Sequence, residues 1–257
     1  MATFTAPGLL TPTTPVTEPD ILFQDDWLVA VHKPAGLLVH RSLIDRRETR
    51  FALQLVRDRI GRRVYPVHRL DKPTSGALLF ALDPETARRL TAAFTAGAVQ
   101  KTYLAVVRGH TPEAGVIDYA LREEQDRMTD ALADPDKAAQ PAVTPWRRLA
   151  TVELPHAVGR YPTARYSLLR LTPETGRKHQ IRRHMKHIFH PVVGDTTHGD
   201  GRHNRFFREQ LDSHRLLLAA TGLALAHPHT GAPLAIEAPL EADFRQVLDR
   251  LGWEACA

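Results

Sequence analysis

The segment Gly76-Ala77-Leu78-Leu79-Phe80-Ala81-Leu82 is a nearly continuous apolar run. It is apolar at successive rather than alternate positions and far shorter than the roughly 18 residues that cross a membrane, so it reads as a buried strand. A helix with both ends written in the sequence follows: Asp83 as N-cap, Pro84 and Glu85 in the first turn, and Gly97 as the stop. Lys101 to Arg108 is a further strand, with Tyr103, Ala105 and Val107 on one face and Thr102, Leu104 and Val106 on the other.

Around this centre the elements alternate irregularly. Trp27 to Val31 reads as a strand ending in the turn Lys33-Pro34-Ala35-Gly36, and Leu53, Val56 and Ile60 at helical spacing predict a helix over about residues 49–61. Arg165 to Leu171 and Leu216 to Leu225 read as strands, with a basic, His-rich helix around Ile181 between them. Without a strict strand–helix–strand rhythm, the fold class is α+β with a mixed, largely antiparallel sheet flanked by helices. Residues 1–20, with six Thr and four Pro, predict a disordered leader. The folded domain is expected over 21–253, with a polar surface excursion over 122–141.

At 257 residues, 43% apolar and 25% charged, the composition is that of a globular protein. The leader has neither a basic start nor a long apolar stretch, so no secretory signal is expected and the cytoplasm is the default location. The single cysteine, Cys256, excludes a disulfide framework and zinc sites built on cysteine pairs. Net charge is +5, but it is concentrated. Arg165 to Arg215 holds 11 Lys/Arg against 5 Asp/Glu, and Arg41 to Arg63 holds 8 Arg against 3 acids. Such blocks suit a polyphosphate partner, because neutralised phosphates release counterions; a solvated arginine-rich surface is the plainer alternative.

Three places carry candidate chemistry. Asp71 stands in the turn His68-Arg69-Leu70-Asp71-Lys72-Pro73-Thr74-Ser75-Gly76, just before the buried strand. It is either a catalytic carboxylate or a turn cap bonded to Thr74 or Ser75. Tyr103 is by its pattern a core or half-buried tyrosine. The stretch Thr175 to His187 is a basic helix whose start, just after Thr175-Gly176, is placed to receive a phosphate, unless it is only a solvated face. His184, His187 and His190 recur every third residue, yet Arg182, Arg183 and Lys186 among them argue against a metal, and none is expected. No phosphate-binding loop, dinucleotide fingerprint or nucleophile elbow is present.

His68-Arg69-Leu70-Asp71-Lys72-Pro73-Thr74-Ser75-Gly76 resembles the HRLDxxTSG signature of the RluA family of pseudouridine synthases. Lys33-Pro34-Ala35-Gly36, Lys101-Thr102-Tyr103, Thr175 to His184 and His227-Pro228 match in the same order, so the resemblance covers about residues 21–253. It implies the pseudouridine synthase catalytic fold with a central cleft, and an isomerase that detaches a uracil and rejoins it to the ribose through C5, without metal or cofactor. Asp71 is then the acting carboxylate and Arg182 the arginine that holds it through its fork. Tyr103 is the tyrosine that stacks on the base, and Arg69 the arginine that assists nucleotide flipping. Arg177, Lys178, Arg183 and Lys186 are the expected RNA contacts. Similarity in WLVAVHKPAGLLVHRS and GDTTHGD points to members acting on tRNA, at position 65, in preference to ribosomal RNA. A non-catalytic RNA-binding or chaperone module is the reading from another class. A monomer is expected, and no membrane. His32 and Ala219 depart from the family pattern, which commonly has Asn and His there.

Overall fold

The computed structural model describes residues 18–41, 48–123 and 138–256. Most of the leader, and residues 124–137 of the polar excursion, lie outside the described residues. The chain forms strands β1 (Asp20–Gln24), β2 (Leu28–Lys33), β3 (Tyr65–Pro66), β4 (Ser75–Ala81), β5 (Gln100–Arg108), β6 (Ala114–Asp118), β7 (Val143–Leu154), β8 (Ala164–Leu171), β9 (Leu218–Ala226) and β10 (Pro233–Glu237). Its helices are α1 (Ala52–Ile60), α2 (Pro84–Thr95), α3 (Gln180–His187), α4 (Gly201–Leu211) and α5 (Ala242–Arg250). The ten strands make one sheet in the order β1-β2-β4-β9-β5-β8-β7-β6, with β3 beside β4 and β10 beside β9. Every pairing is antiparallel except β4 with β9, where Ser75 meets Ala219 and Gly76 meets Ala220. This is the mixed, largely antiparallel α+β architecture that the irregular alternation of elements predicts.

The apolar run is β4, and every one of its residues is buried. Alternate side chains enter different layers. Leu78 and Phe80 pack with α1 through Ala52 and Val56, whereas Ala77, Leu79 and Ala81 pack with Leu90 of α2. On β5, Ala105 and Val107 face Ile181 and Met185 of α3, while Leu104 and Val106 face Phe207 of α4 and Phe244 and Val247 of α5. Helices α1 and α3 therefore cover one face of the sheet, and α2, α4 and α5 the other. Tyr103 packs against both the α1 and the α3 cluster. It marks the seam where a cleft opens.

Several boundaries differ from the expectation for physical reasons. Helix α1 begins at Ala52 rather than near residue 49, because Phe51 forms a bridge with Leu38 and Ala52 N donates to Leu38 O at 2.8 Å. Helix α3 begins at Gln180, not just after Gly176. The Gln180 side chain turns back, and its Oε1 accepts from Thr175 Oγ1 (2.7 Å) and Arg177 N (2.9 Å). Donors expected to face a phosphate there are thus partly used within the chain. Strand β7 and helices α4 and α5 follow no pattern singled out in the sequence.

Gly76 has φ +119, and a Cβ on it would stand 2.0 Å from Ala220 O. The parallel join of β4 to β9 therefore exists only because residue 76 has no side chain. Gly76→Ala is expected to cost at least about 3 kcal/mol, lowering Tm by about 6–12 °C. Gly231→Ala, at φ +72 with open space around the new methyl, is expected to cost about 1 kcal/mol. Thermal unfolding of the two variants checks the contrast.

Candidate active site

Asp71 reaches the cleft from the loop between β3 and β4, whose turn is closed by Thr74 N donating to Asp71 O at 3.0 Å. The turn expected from the sequence is present, but it uses the backbone carbonyl and leaves the carboxylate for other work. Arg182 Nη1 donates to Asp71 Oδ2 at 3.0 Å. The other side of the guanidinium grips Asp195, with Nε to Oδ2 at 2.7 Å and Nη2 to Oδ1 at 2.9 Å. The two-pronged contact expected for Asp71 thus belongs to Asp195, and Asp71 receives a single prong. A fork has only two edges, and the deeper carboxylate occupies one of them.

Asp195 has no exposed side-chain surface, whereas the Asp71 side chain is 21% exposed. One carboxylate is sealed as an anchor; the other faces the cleft. Burial pushes Asp195 upward, but the Arg182 hydrogen bonds and charge and the backbone N–H groups of His198 and Thr197 outweigh it and hold its carboxyl below the ordinary range. Gly194, immediately before it, passes so close to Arg215 that a Cβ would lie 1.8 Å from the Arg215 carbonyl oxygen. In the sequence Asp195 stands in the similar stretch GDTTHGD and in the turn-forming pattern Gly194-Asp195-Thr196-Thr197, neither of which names its partner.

Two histidines complete the surround. His179, the N-cap of α3 with φ 55, places Nε2 3.8 Å from Asp71 Oδ2. Its Nδ1 lies 3.1 Å from His198 Nε2. Beneath the loop, the buried Lys33 donates from Nζ to Pro34 O (2.9 Å), Leu37 O (2.8 Å) and Lys72 O (3.2 Å). Burial lowers its pKa to about 7 against the opposing pull of Glu241 and Asp71. Three carbonyl acceptors match the three protons of the ammonium form, which ties the turn after β2 to the residue next to Asp71. Arg215 extends this frame, donating to Ser75 Oγ (2.7 Å), Glu241 Oε2 (2.5 Å) and Asp243 Oδ1 (2.8 Å).

Tyr103 enters from β5. Its backbone is in register with Ala220, which is in register with Gly76, so it stands two strand spacings, about 10 Å, from the start of β4. Burial and the Asp71 charge push its hydroxyl well above the usual tyrosine value. It therefore stays protonated at neutral pH. His68 lies behind the loop. Its Nε2 accepts from Leu79 N at 2.9 Å and its ring stacks on Phe94. Burial and the charge of Lys101 lower its pKa to about 3, so it is a neutral structural acceptor.

Arg69 is exposed in the same loop. Of the expected RNA contacts, Arg177, Lys178 and Lys186 are exposed and Arg183 is partly buried; Arg177 Nε donates to Pro141 O at 3.1 Å. Of the three histidines at every third position, His184 and His187 share Tyr119 as a partner and His190 does not. His184 lies within hydrogen-bond distance of Thr144 Oγ1 and Tyr119 O, His187 stacks on Tyr119, and His190 Nδ1 is 2.8 Å from Arg108 O. His227-Pro228 belongs to the β9–β10 hairpin, where His227 Nε2 is 2.8 Å from Asp25 Oδ2. Ala219, the departure from the family pattern, is buried where β9 meets Ser75 and Leu104.

Residues 27–187 match the family model described as RNA pseudouridylate synthase. This chain belongs to the RNA pseudouridylate synthase family. The synthase is 51% identical, over 92% of its length and 96% of the relative's, to tRNA pseudouridine synthase C of Vibrio parahaemolyticus. It is 56% identical over 91% of its length to tRNA pseudouridine synthase C of Pectobacterium carotovorum, of whose longer chain it spans 62%. Among solved structures, human RNA Pseudouridylate Synthase Domain Containing 4 superposes with a TM-score of 0.66 at 27% identity, covering 91% of this chain and 93% of that one.

Asp195→Asn is expected to destabilise the synthase by about 3 kcal/mol, because it leaves a buried guanidinium without its main counter-charge. Asp195 is held below its ordinary pKa in the folded state. Its contribution is therefore present above about pH 3.9, the unfolded value, and is lost as pH falls through the folded value. Denaturant unfolding from pH 7 down to pH 3 should show the gap between wild type and variant closing at the acid end.

Proposed function

We propose that this synthase converts uridine to pseudouridine in tRNA, at the position expected from its sequence, using Asp71 as the group that acts on the target nucleotide. One observation carries the reading: a partly exposed carboxylate is held by a buried arginine that is itself anchored by a sealed second carboxylate. That arrangement supplies a carboxylate oxygen of fixed direction in a cleft. The names of relatives matched over almost their full length support tRNA as the substrate.

In the reaction the N1–C1′ bond breaks, the uracil turns, C5–C1′ forms, and the hydrogen on C5 leaves while N1 gains one. Attack by Asp71 on the nucleotide and removal of a ribose proton by Asp71 both use the same carboxylate. Tyr103, protonated and beside Asp71 on the covered face, offers its ring to the base and its hydroxyl as a hydrogen-bond donor. Arg69, exposed in the loop that carries Asp71, assists extrusion of the nucleotide from its helix. Arg177, Lys178, Arg183 and Lys186 meet phosphates on the α3 side. The isomerisation is redox-neutral and intramolecular, so the reading calls for no cofactor. All the named groups come from one chain, which acts as a monomer within residues 21–253, in the cytoplasm. A non-catalytic RNA-binding module would gain nothing from the partly exposed Asp71 at the end of this buried ion pair.

Asp71→Asn keeps the shape and removes the charge. Pseudouridine formation in tRNA is expected to be abolished while tRNA affinity stays within a few fold; turnover by this variant would remove Asp71 from the mechanism. Tyr103→Phe is expected to slow the reaction by about 10²-fold with little change in binding. Because burial and Asp71 hold the Tyr103 proton, the wild-type rate should show no loss from tyrosine ionisation up to pH 10.

A further inference from the structure

The arginines between Arg41 and Arg63 are not all absorbed by the site described above. At the C-terminal end of α1 lies a groove of about 820 Å³ whose lining includes Arg57, Arg62, Arg63, Tyr65 and Pro66 together with one acid, Asp58. Arg57 is turned toward Asp58 (Nη2 to Oδ1, 2.8 Å), and Arg59 is directed away, donating to Pro19 O at 2.8 Å. Both lie in the last turn of α1, where a cation also complements the helix dipole. That explanation does not reach Arg62 and Arg63. They follow Gly61, which ends the helix in the left-handed conformation, and both are exposed. Arg63 lies 4.9 Å over the Tyr65 ring, a contact that leaves guanidinium N–H donors unspent.

The groove lies at the edge of the sheet between its two faces: Leu53 packs in the α1 cluster, whereas Tyr65 packs in the α2 cluster. Helix α1 buries Ala52 and Val56 in the cluster that also takes Tyr103. Its first turn is fastened to residues 38 and 39, through Ala52 N to Leu38 O (2.8 Å) and Leu53 N to Val39 O (3.0 Å). Next to that point, His40 feels the charge of Arg69, and Arg41 lies over Phe51. The helix then leads away from the cleft, and Tyr65 returns opposite Ala81, the far end of β4. Ser75 and Ala81 are six residues apart, about 20 Å at the rise of a strand. Exposed arginines therefore stand both in the loop that carries Asp71, at Arg69, and in a groove well beyond the reach of one flipped nucleotide.

We propose that this groove is a second RNA-backbone site, in which Arg62 and Arg63 hold phosphates of the substrate about 20 Å from the target uridine. The proposal rests on the reading of the chain as an RNA-modifying enzyme and adds where a remote part of the substrate is held. Such a site contributes binding and not chemistry, so its signature falls on KM and on salt dependence.

The test uses the full chain carrying Arg62→Ala and Arg63→Ala together, and as a second variant Arg62→Lys with Arg63→Lys, which keeps the charge. Binding to bulk tRNA is measured from 50 to 200 mM salt, and pseudouridine formation is measured on tRNA and on a short stem-loop containing the target uridine. For the alanine pair, the slope of log affinity against log salt is expected to fall by roughly 1.4–1.8 units, at 0.7–0.9 per phosphate. KM for tRNA should rise about tenfold with kcat unchanged, and the short stem-loop should show no change. The lysine pair should keep most of the slope. An unchanged slope and KM on tRNA for the alanine pair overturns the groove, as does an equal loss on the short stem-loop. A wild-type chain that forms no pseudouridine in tRNA would defeat the functional reading instead, and the salt slope of binding would still decide the groove.

Discussion

Arg182 stands between two carboxylates, and the geometry of the cleft depends on how it divides its hydrogen bonds. Two go to the sealed Asp195 and one to Asp71. A buried ion pair of this kind adds little net stability, since desolvation offsets most of the Coulomb attraction, but removing one partner is costly. Its value here is directional. An arginine fixed from behind by two bonds has no freedom to follow Asp71, so Asp71 must take the position that Arg182 sets.

The rest of the fold supplies what that constraint requires. Asp71, Arg182 and Asp195 come from a loop before β4, from α3 and from a turn before α4, elements far apart in sequence. They meet because β4 and β9 join at Gly76 and Gly194 passes against Arg215, two approaches that admit no side chain. Lys33 fastens the loop from below through Lys72 O, and Arg215 with Glu241 connects the start of β4 to α5. Cutting any of these ties is a change behind the reacting groups, yet a displacement of 1 Å at a reacting group is worth about 10²-fold in rate.

What the sequence disclosed follows from whether the information was local. β4, the α2 cap at Asp83 and the two faces of β5 are written in neighbouring residues, and the structure has them with shifts of a residue or so. The signature around Asp71, with Tyr103 and Arg182, was legible through resemblance, and the structure brings these three together. The division of Arg182 between two carboxylates was not legible, because nothing near Asp195 states that its partner lies 13 residues earlier on a helix. Lys33 was visible only as part of a turn, since its three carbonyl partners lie in two separate loops. The regular spacing of the histidine triplet is not kept in space: His184 and His187 both meet Tyr119, whereas α3 ends at His187 and the chain reverses through Phe189, at φ 64, before His190.

The most direct measurement is single-turnover release of tritium from tRNA labelled at C5 of uridine, since rejoining the ring through C5 expels that hydrogen. It is made with saturating wild type, Asp195→Asn and Arg182→Lys, at a temperature where all three are shown to be folded. If Asp195 sets Arg182 and Arg182 sets Asp71, both variants are expected to release tritium about 10²-fold more slowly or worse, with tRNA affinity within a few fold of wild type. Release by Asp195→Asn at the wild-type rate would contradict the dependence of the catalytic carboxylate on this anchored arginine.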